Sequence, residues 1–131
     1  METSFVARAS HILIKHVGSK RPHDRVRDKK ITRNKEEAIV ILKEIRANIK
    51  TFEDFIKSAG EKSECGSAKR GGDLGNFQNG MMAKEFEEAV IKLKVGEMSG
   101  IVQSDSGFHL IWRSEYKPRT PLTSSTSDSD Y

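Results

Sequence analysis

Apolar side chains recur at two incompatible spacings along this chain, so no single kind of secondary structure accommodates them. Ala38, Ile41, Leu42, Ile45 and Ile49 stand at i, i+3, i+4, i+7 and i+11, and Phe86, Ala89, Val90 and Leu93 repeat at i, i+3, i+4 and i+7. Each set is the stripe of a helix buried on one side. Residues 5–14 (FVARASHILI), 98–104 and 108–116 are instead rich in β-branched and apolar types and read as strands. In the first of these, His11, Leu13 and Lys15 fall on one face and Ile12 and Ile14 on the other. The last two flank Asp105-Ser106-Gly107, a turn with glycine where a positive φ is easily adopted, which makes a C-terminal hairpin. The spacing predicts a first helix over 34–50 capped by Thr32 or Asn34, and a second over 52–59 with Thr51 as N-cap and Gly60 as its stop. Gly96 is expected to end the third. The basic stretch 18–33 reads as a loop, and the glycine-rich stretch 60–84 as a looping segment around a short strand at 74–77. Strand, helices, strand, helix and hairpin in that order give an α+β fold with a small, mainly antiparallel sheet.

A chain of 131 residues fits one domain. Residues 117–131 (KPRTPLTSSTSDSDY) hold only Leu122 and Tyr131 as apolar groups. The expected organisation is therefore a folded domain over 1–116 and a disordered Ser/Thr/Asp-rich tail over 117–131, in which Thr120-Pro121 is a candidate pseudo-substrate. No apolar run approaches the ~18 residues of a membrane span, and the N-terminus lacks the pattern of a leader, so a soluble cytoplasmic or nuclear protein is expected. The single cysteine, Cys65, has no partner for an internal disulfide. No CxxC or HxxxH pattern accompanies it, so neither a metal nor another cofactor is expected.

The formal net charge of +4 is unevenly placed. Between Lys15 and Lys35 nine Lys and Arg residues face only Asp24 and Asp28, a local +7, which leaves −3 for the remainder. That asymmetry points to a basic site that meets an anion. Lys15, Lys20 and Arg21, at the end of the first strand, would bind a phosphate if they converge. A basic stripe also suits nucleic-acid phosphates, but residues 15–35 contain no aromatic side chain on which a base could stack, which disfavours that partner. A solvated basic loop fits the same residues.

Two histidines, His11 and His109, lie in strands far apart in sequence. If those strands are neighbours, each neutral imidazole has one donor and one acceptor nitrogen, so the pair can bond to each other below a pocket. On spacing alone, two unrelated histidines satisfied by backbone fit equally well. Cys65 sits in a glycine-bounded segment, where a thiol is either inert packing or, beside a cation, reactive. Met81, Met82 and Phe86, with Leu74 opposite, are either core or the lining of an apolar pocket. The glycine-rich loop carries neither GK[ST] nor GxGxxG, which argues against a nucleotide cradle.

Taken in order, SHILIKHVGSKRP, ITRNKEEA, ECGSAKRGGDLGNF, MAKEFEEA and LKVGEMSGIVQSDSGFHLIWR resemble the parvulin family of peptidyl-prolyl isomerases, and within it the phosphoprotein-directed Pin type, over about residues 8–115. The resemblance implies a four-stranded, mainly antiparallel sheet surrounded by about four helices. It places the family's paired histidines on His11 and His109, its active-site cysteine on Cys65, and its hydroxyls near the isomerising bond on Ser104 and Ser106. The proline pocket falls on Leu74, Met82 and Phe86, and the phosphate-binding cluster on Lys15, Lys20 and Arg21. Lys20 stands where an arginine is common, which keeps the charge and loses the bidentate fork. Ala83 and Glu85 replace a common Gln and Pro at the pocket rim. Only about ten residues precede the first motif, so recognition is expected to come from the catalytic domain or a partner rather than from a WW domain.

The activity so implied is cis/trans isomerisation of phosphoSer/Thr-Pro bonds by non-covalent stabilisation of the twisted imide, with phosphorylated Ser/Thr-Pro proteins as partners and a monomer as the working form. Rotation needs no bond to carbon, so Cys65 is not expected to act as a covalent nucleophile. A non-catalytic phosphopeptide- or nucleic-acid-binding module using the basic loop is the alternative.

Overall fold

The computed structural model describes residues 4–119, with side chains over 6–114. Four antiparallel strands form one sheet in the order β4-β1-β6-β5. They are β1 (Ser4–Ile14), β4 (Asp73–Gln78), β5 (Val102–Ser104) and β6 (Gly107–Arg119). The first and last of the described strands thus form the centre of the sheet. β6 continues three residues past the expected domain boundary at 116. Thr120-Pro121 and the rest of the expected tail lie outside the described residues.

Period-two alternation along β1 and β6 sorts their side chains into two cores. Ile12, Ile14, Phe108 and Leu110 meet helices α1 (Lys35–Ala47) and α2 (Phe52–Lys62) on one face. Ala7, Ala9 and Ile111 meet Phe77 of β4 and Phe86 and Val90 of α3 (Lys84–Lys92) on the other. Ile12, Leu42, Phe55 and Leu110 have no exposed surface. Each such side chain contributes at most about 1.5–3 kcal/mol on leaving water. His11 and His109 share the face of Ala7, Ala9 and Ile111 and meet Phe86 of α3.

Among the described residues three α-helices and one short 3-10 turn (Gly66–Arg70) surround the sheet, where about four helices are expected. Asn34 rather than Thr32 caps α1: its side chain accepts the Glu37 backbone N–H while Glu37 accepts that of Asn34, both at 2.8 Å. Thr51 and Asp54 make the same reciprocal box at α2. Gly60 does not stop α2, which runs on to Lys62. A glycine ends a helix where a left-handed residue is needed, and Gly60 is not left-handed; the end comes at Ser63, whose N–H bonds Ala59 O as the backbone turns extended. Gly96 likewise lies beyond α3, in the following turn, where its φ of +85° lets its N–H reach Arg113 O at 2.7 Å. The basic stretch contains a two-stranded ribbon of β2 (His23–Asp24) and β3 (Lys29–Lys30), where a plain loop is expected.

Candidate active site

The register of the two central strands brings the histidines together. Leu13 pairs with His109 and His11 with Ile111, so the imidazoles stand diagonally on one face. Their Nδ1 atoms are 2.9 Å apart, and the rings stack at 5.1 Å between centroids with 22° between planes. Phe86 presses on both, with interplanar angles of 77° to His11 and 82° to His109. Burial lowers the pKa of His11 to about 4, and burial together with His11 lowers that of His109 to about 3. Both rings are therefore neutral at physiological pH.

Hydrogen-bond satisfaction orients the protons. His109 Nε2 lies 2.7 Å from Ser104 Oγ, and Ser104 Oγ also accepts the Ser106 N–H at 3.2 Å. His11 Nε2 is buried without a partner among the described residues. An orphaned buried N–H is costlier than a bare lone pair, so His11 Nδ1–H donates to His109 Nδ1 and His109 Nε2–H donates to Ser104 Oγ. The Ser104 hydroxyl hydrogen is then free to point outward.

Two glycines make this floor possible. Gly72 has φ +85°, and a Cβ there would stand 2.4 Å from the carbonyl oxygen of His11, whose own N–H bonds Gly72 O at 2.9 Å. Gly107 opens β6 with φ +143°, and a Cβ there would come within 2.8 Å of Ile14 O. Both glycines allow backbones to approach more closely than any side chain permits.

Beside the histidine floor lies a cavity of about 270 Å³. Leu13, Cys65 and Ser106 form its neutral wall, and Lys15, Lys20 and Arg21 its cationic one. The Lys15 side chain is buried, its Nζ donates to His23 O at 2.7 Å, and burial lowers its pKa from the usual lysine range. Lys20 and Arg21 are exposed at the mouth. The Lys20 backbone N–H donates to Asp105 O at 2.8 Å, which fastens the loop to the turn carrying Ser106. Leu74, Met82 and Phe86 share one apolar cluster with Phe77, Val90 and Ile111; Phe86 is buried, Leu74 and Met82 half-buried. The sequence-derived residues thus fall into a histidine, serine and phenylalanine floor, a cationic cavity and an apolar flank, joined through Ser104 and Ser106.

Several residues of the site are not singled out by the sequence. Arg25 lines the cavity alongside Lys15. Behind it, the buried Glu64 accepts the Lys15 N–H at 2.7 Å and the two Arg33 nitrogens at 2.8 and 3.0 Å, while Arg33 Nη1 also donates to Lys15 O at 2.9 Å. This clasp fixes Lys15 relative to Cys65, the residue next to Glu64. Asp24 accepts the backbone N–H groups of Val26 and Arg27 and the Arg27 guanidinium; burial pushes its carboxyl up, and the Arg27 contacts outweigh that and hold it below the usual carboxylate range. Arg27 also reaches the carbonyls of Ser63 and Glu61. A larger cavity of about 380 Å³ beyond the clasp, with Asp24, Glu61 and Glu64 among its lysines and arginines, holds none of the expected site residues. Within the basic stretch Lys15, Arg27 and Arg33 all make bonds inside the chain.

The chain is similar to known proteins in sequence and in fold. A family profile described as a PPIC-type PPIase (rotamase) domain matches residues 11–115. A putative peptidyl-prolyl cis-trans isomerase of Drosophila melanogaster, dodo, is 50% identical over 107 residues, which cover 79% of this chain and 62% of the fly protein. Peptidyl-prolyl cis-trans isomerase Pin1 of Arabidopsis thaliana is 48% identical over 113 residues, 81% of this chain and 92% of the plant protein. Among solved structures, peptidyl-prolyl isomerase ESS1 from Candida albicans superposes with a TM-score of 0.77 at 37% identity, over 84% of this chain and 63% of its own.

Proposed function

The chain belongs to the PPIC-type, or parvulin, family of peptidyl-prolyl cis/trans isomerases, and from that membership we propose that it isomerises peptidyl-prolyl bonds preceded by phosphoserine or phosphothreonine. The observation that carries the phosphate half is the cavity in which Lys15, Lys20 and Arg21 converge with no carboxylate among its lining residues. A phosphoserine brings about −1.5 to −2 charge and three strong acceptor oxygens, which such donors match.

Rotation about an X–Pro bond must break amide resonance, against a barrier of roughly 18–20 kcal/mol. With the phosphate held in the cationic cavity and the proline ring on Leu74, Met82 and Phe86, the imide between them is the element left to twist. The twisted imide is less dipolar than the planar one, so the water-poor surface over the neutral His11–His109 pair favours it. Ser104, held by His109, and Ser106 and Cys65, on the cavity wall, set the polarity around the carbonyl. Every ~1.4 kcal/mol gained in the twisted state over the planar one speeds the reaction about tenfold. The partners so implied are phosphorylated Ser/Thr-Pro proteins, met by a monomer in the cytoplasm or nucleus, where Cys65 stays reduced.

Exchange NMR on paired peptides tests the reading. A pSer-Pro peptide is expected to be turned over at least about tenfold faster than its Ser-Pro counterpart, as one charge-assisted contact made in the transition state would give. Equal kcat/KM for the two would sink the phosphate half, and absence of turnover on either would sink the isomerase.

A further inference from the structure

The cavity has more positive charge than one phosphate needs. Arg25 brings its cations to four, all within one space of about 270 Å³. The buried carboxylates nearby are taken, Glu64 by Arg33 at 2.8 Å and Asp24 by Arg27 at 3.0 Å; Asp28 hydrogen-bonds His23 at 2.8 Å, and the exposed Asp105 meets the loop through its backbone carbonyl. None of these acids lines the cavity. A phosphoserine supplies about two negative charges, so roughly two positive charges remain unanswered when it binds. Arg25 is exposed, no ion pair engages it among the described residues, and it stands close enough to Lys15 to repel it.

We propose that Arg25 is a specificity-determining residue that reads a second negative group on the substrate, on the N-terminal side of the phosphorylated residue. The inference rests on the phosphate-directed reading above and adds to it. Direction follows from the layout: the phosphorylated residue precedes proline, and the apolar flank that takes the proline lies on the opposite side of the histidine floor from the cations. Along β1 the order is Ala7, against Phe77 and Phe86, then His11, then Lys15 with the cations, so a substrate chain runs from the basic loop towards Phe86 and its earlier residues stay on the basic-loop side, where Arg25 lines the cavity. The second anion is a carboxylate or a second phosphate; the fork of a guanidinium grips either.

Three pThr-Pro peptides of equal length test it, identical except for an alanine, a glutamate or a phosphoserine two residues before the phosphothreonine. For the wild-type chain, kcat/KM is expected to be about threefold to fivefold higher for the second or third than for the first, as one exposed ion pair gives, and the ratio falls as salt is raised. In Arg25→Ala that ratio falls to about one, and in Arg25→Glu it drops below one. A gain with both anions identifies a general acidic subsite, and a gain with phosphoserine alone identifies a doubly phosphorylated substrate. A ratio near one in the wild type, or a preference that survives in Arg25→Ala and Arg25→Glu, overturns the proposal. The phosphate-directed reading is judged separately, from a Thr-Pro control peptide; if that peptide equals its pThr-Pro form, both readings fall.

Discussion

The histidine floor and the basic loop are both built from polar residues, yet they hold together by opposite means. On the floor, burial strips His11 and His109 of charge, and a chain of neutral hydrogen bonds runs from His11 through His109 to Ser104 within a regular strand register. In the loop, the charges survive because each buried carboxylate is closed by a guanidinium, Glu64 by Arg33 and Asp24 by Arg27. The floor therefore depends on backbones meeting closely, and the loop on ion pairs being complete. Damage to the first should destroy the fold, whereas damage to the second should first loosen the grip on an anion.

The largest expected effect comes from Gly72→Ala, which puts a methyl group 2.4 Å from the His11 carbonyl oxygen at a positive φ. We expect a loss of about 3 kcal/mol or more in urea unfolding. A loss under about 1 kcal/mol would show that the strand crossing beneath the histidines is softer than described. Next is Glu64→Ala, which leaves Arg33 uncompensated and frees the Lys15 backbone N–H. About 2–3 kcal/mol of stability should go, less than for a fully buried pair because Arg33 is partly exposed, and KM for a phosphopeptide should rise more than kcat falls. An unchanged KM would separate the clasp from anion binding.

Acid distinguishes the two regions without mutation. The folded-state pKa values of His11 and His109 lie below the ordinary histidine value of 6.5, at about 4 and about 3, and burial also lowers that of His16. As pH falls below 6.5 the unfolded chain takes up protons that the folded chain refuses. Stability is therefore whole above that pH and declines below it, by up to about 1.4 kcal/mol per pH unit for each such histidine. Urea midpoints between pH 7.5 and 5 should follow this slope, and replacing both His11 and His109 with Gln should flatten it; an unchanged slope would mean that the floor is not dry. The smallest effect on folding belongs to Lys20→Ala with Arg21→Ala. Stability should stay within about 0.5 kcal/mol while kcat/KM on a pSer-Pro peptide drops about tenfold or more and that on a Ser-Pro peptide holds. Equal losses on both peptides would place the damage in the fold.

What could be read from the sequence follows the same division. The alternation in FVARASHILI fixes the face of His11, and the turn at Asp105-Ser106-Gly107 fixes the pairing of the last two strands, but the meeting of His11 with His109 across 98 residues follows from no local pattern and is implied only by the family resemblance. Glu64 and Arg33 are 31 residues apart and carry no periodic signal, and their bond depends on where α2 ends. Composition points to Gly60 as the stop, whereas Ser63, which accepts the Leu13 N–H at 3.0 Å, performs the closure. Arg25 is one of nine cations that composition does not tell apart, and it reaches the cavity from the turn between β2 and β3.

The bond from the Lys20 N–H to Asp105 O has a consequence for how this pocket can vary over generations. Main-chain atoms, which every residue but proline supplies alike, hold that corner of the loop against the hairpin turn. The side chain at position 20 is thereby released from any duty in construction. Exchange of lysine for arginine, or for a neutral residue, changes what the corner grips and leaves where it stands untouched, so a lineage can retune its clientele there by single substitutions without rebuilding the enzyme.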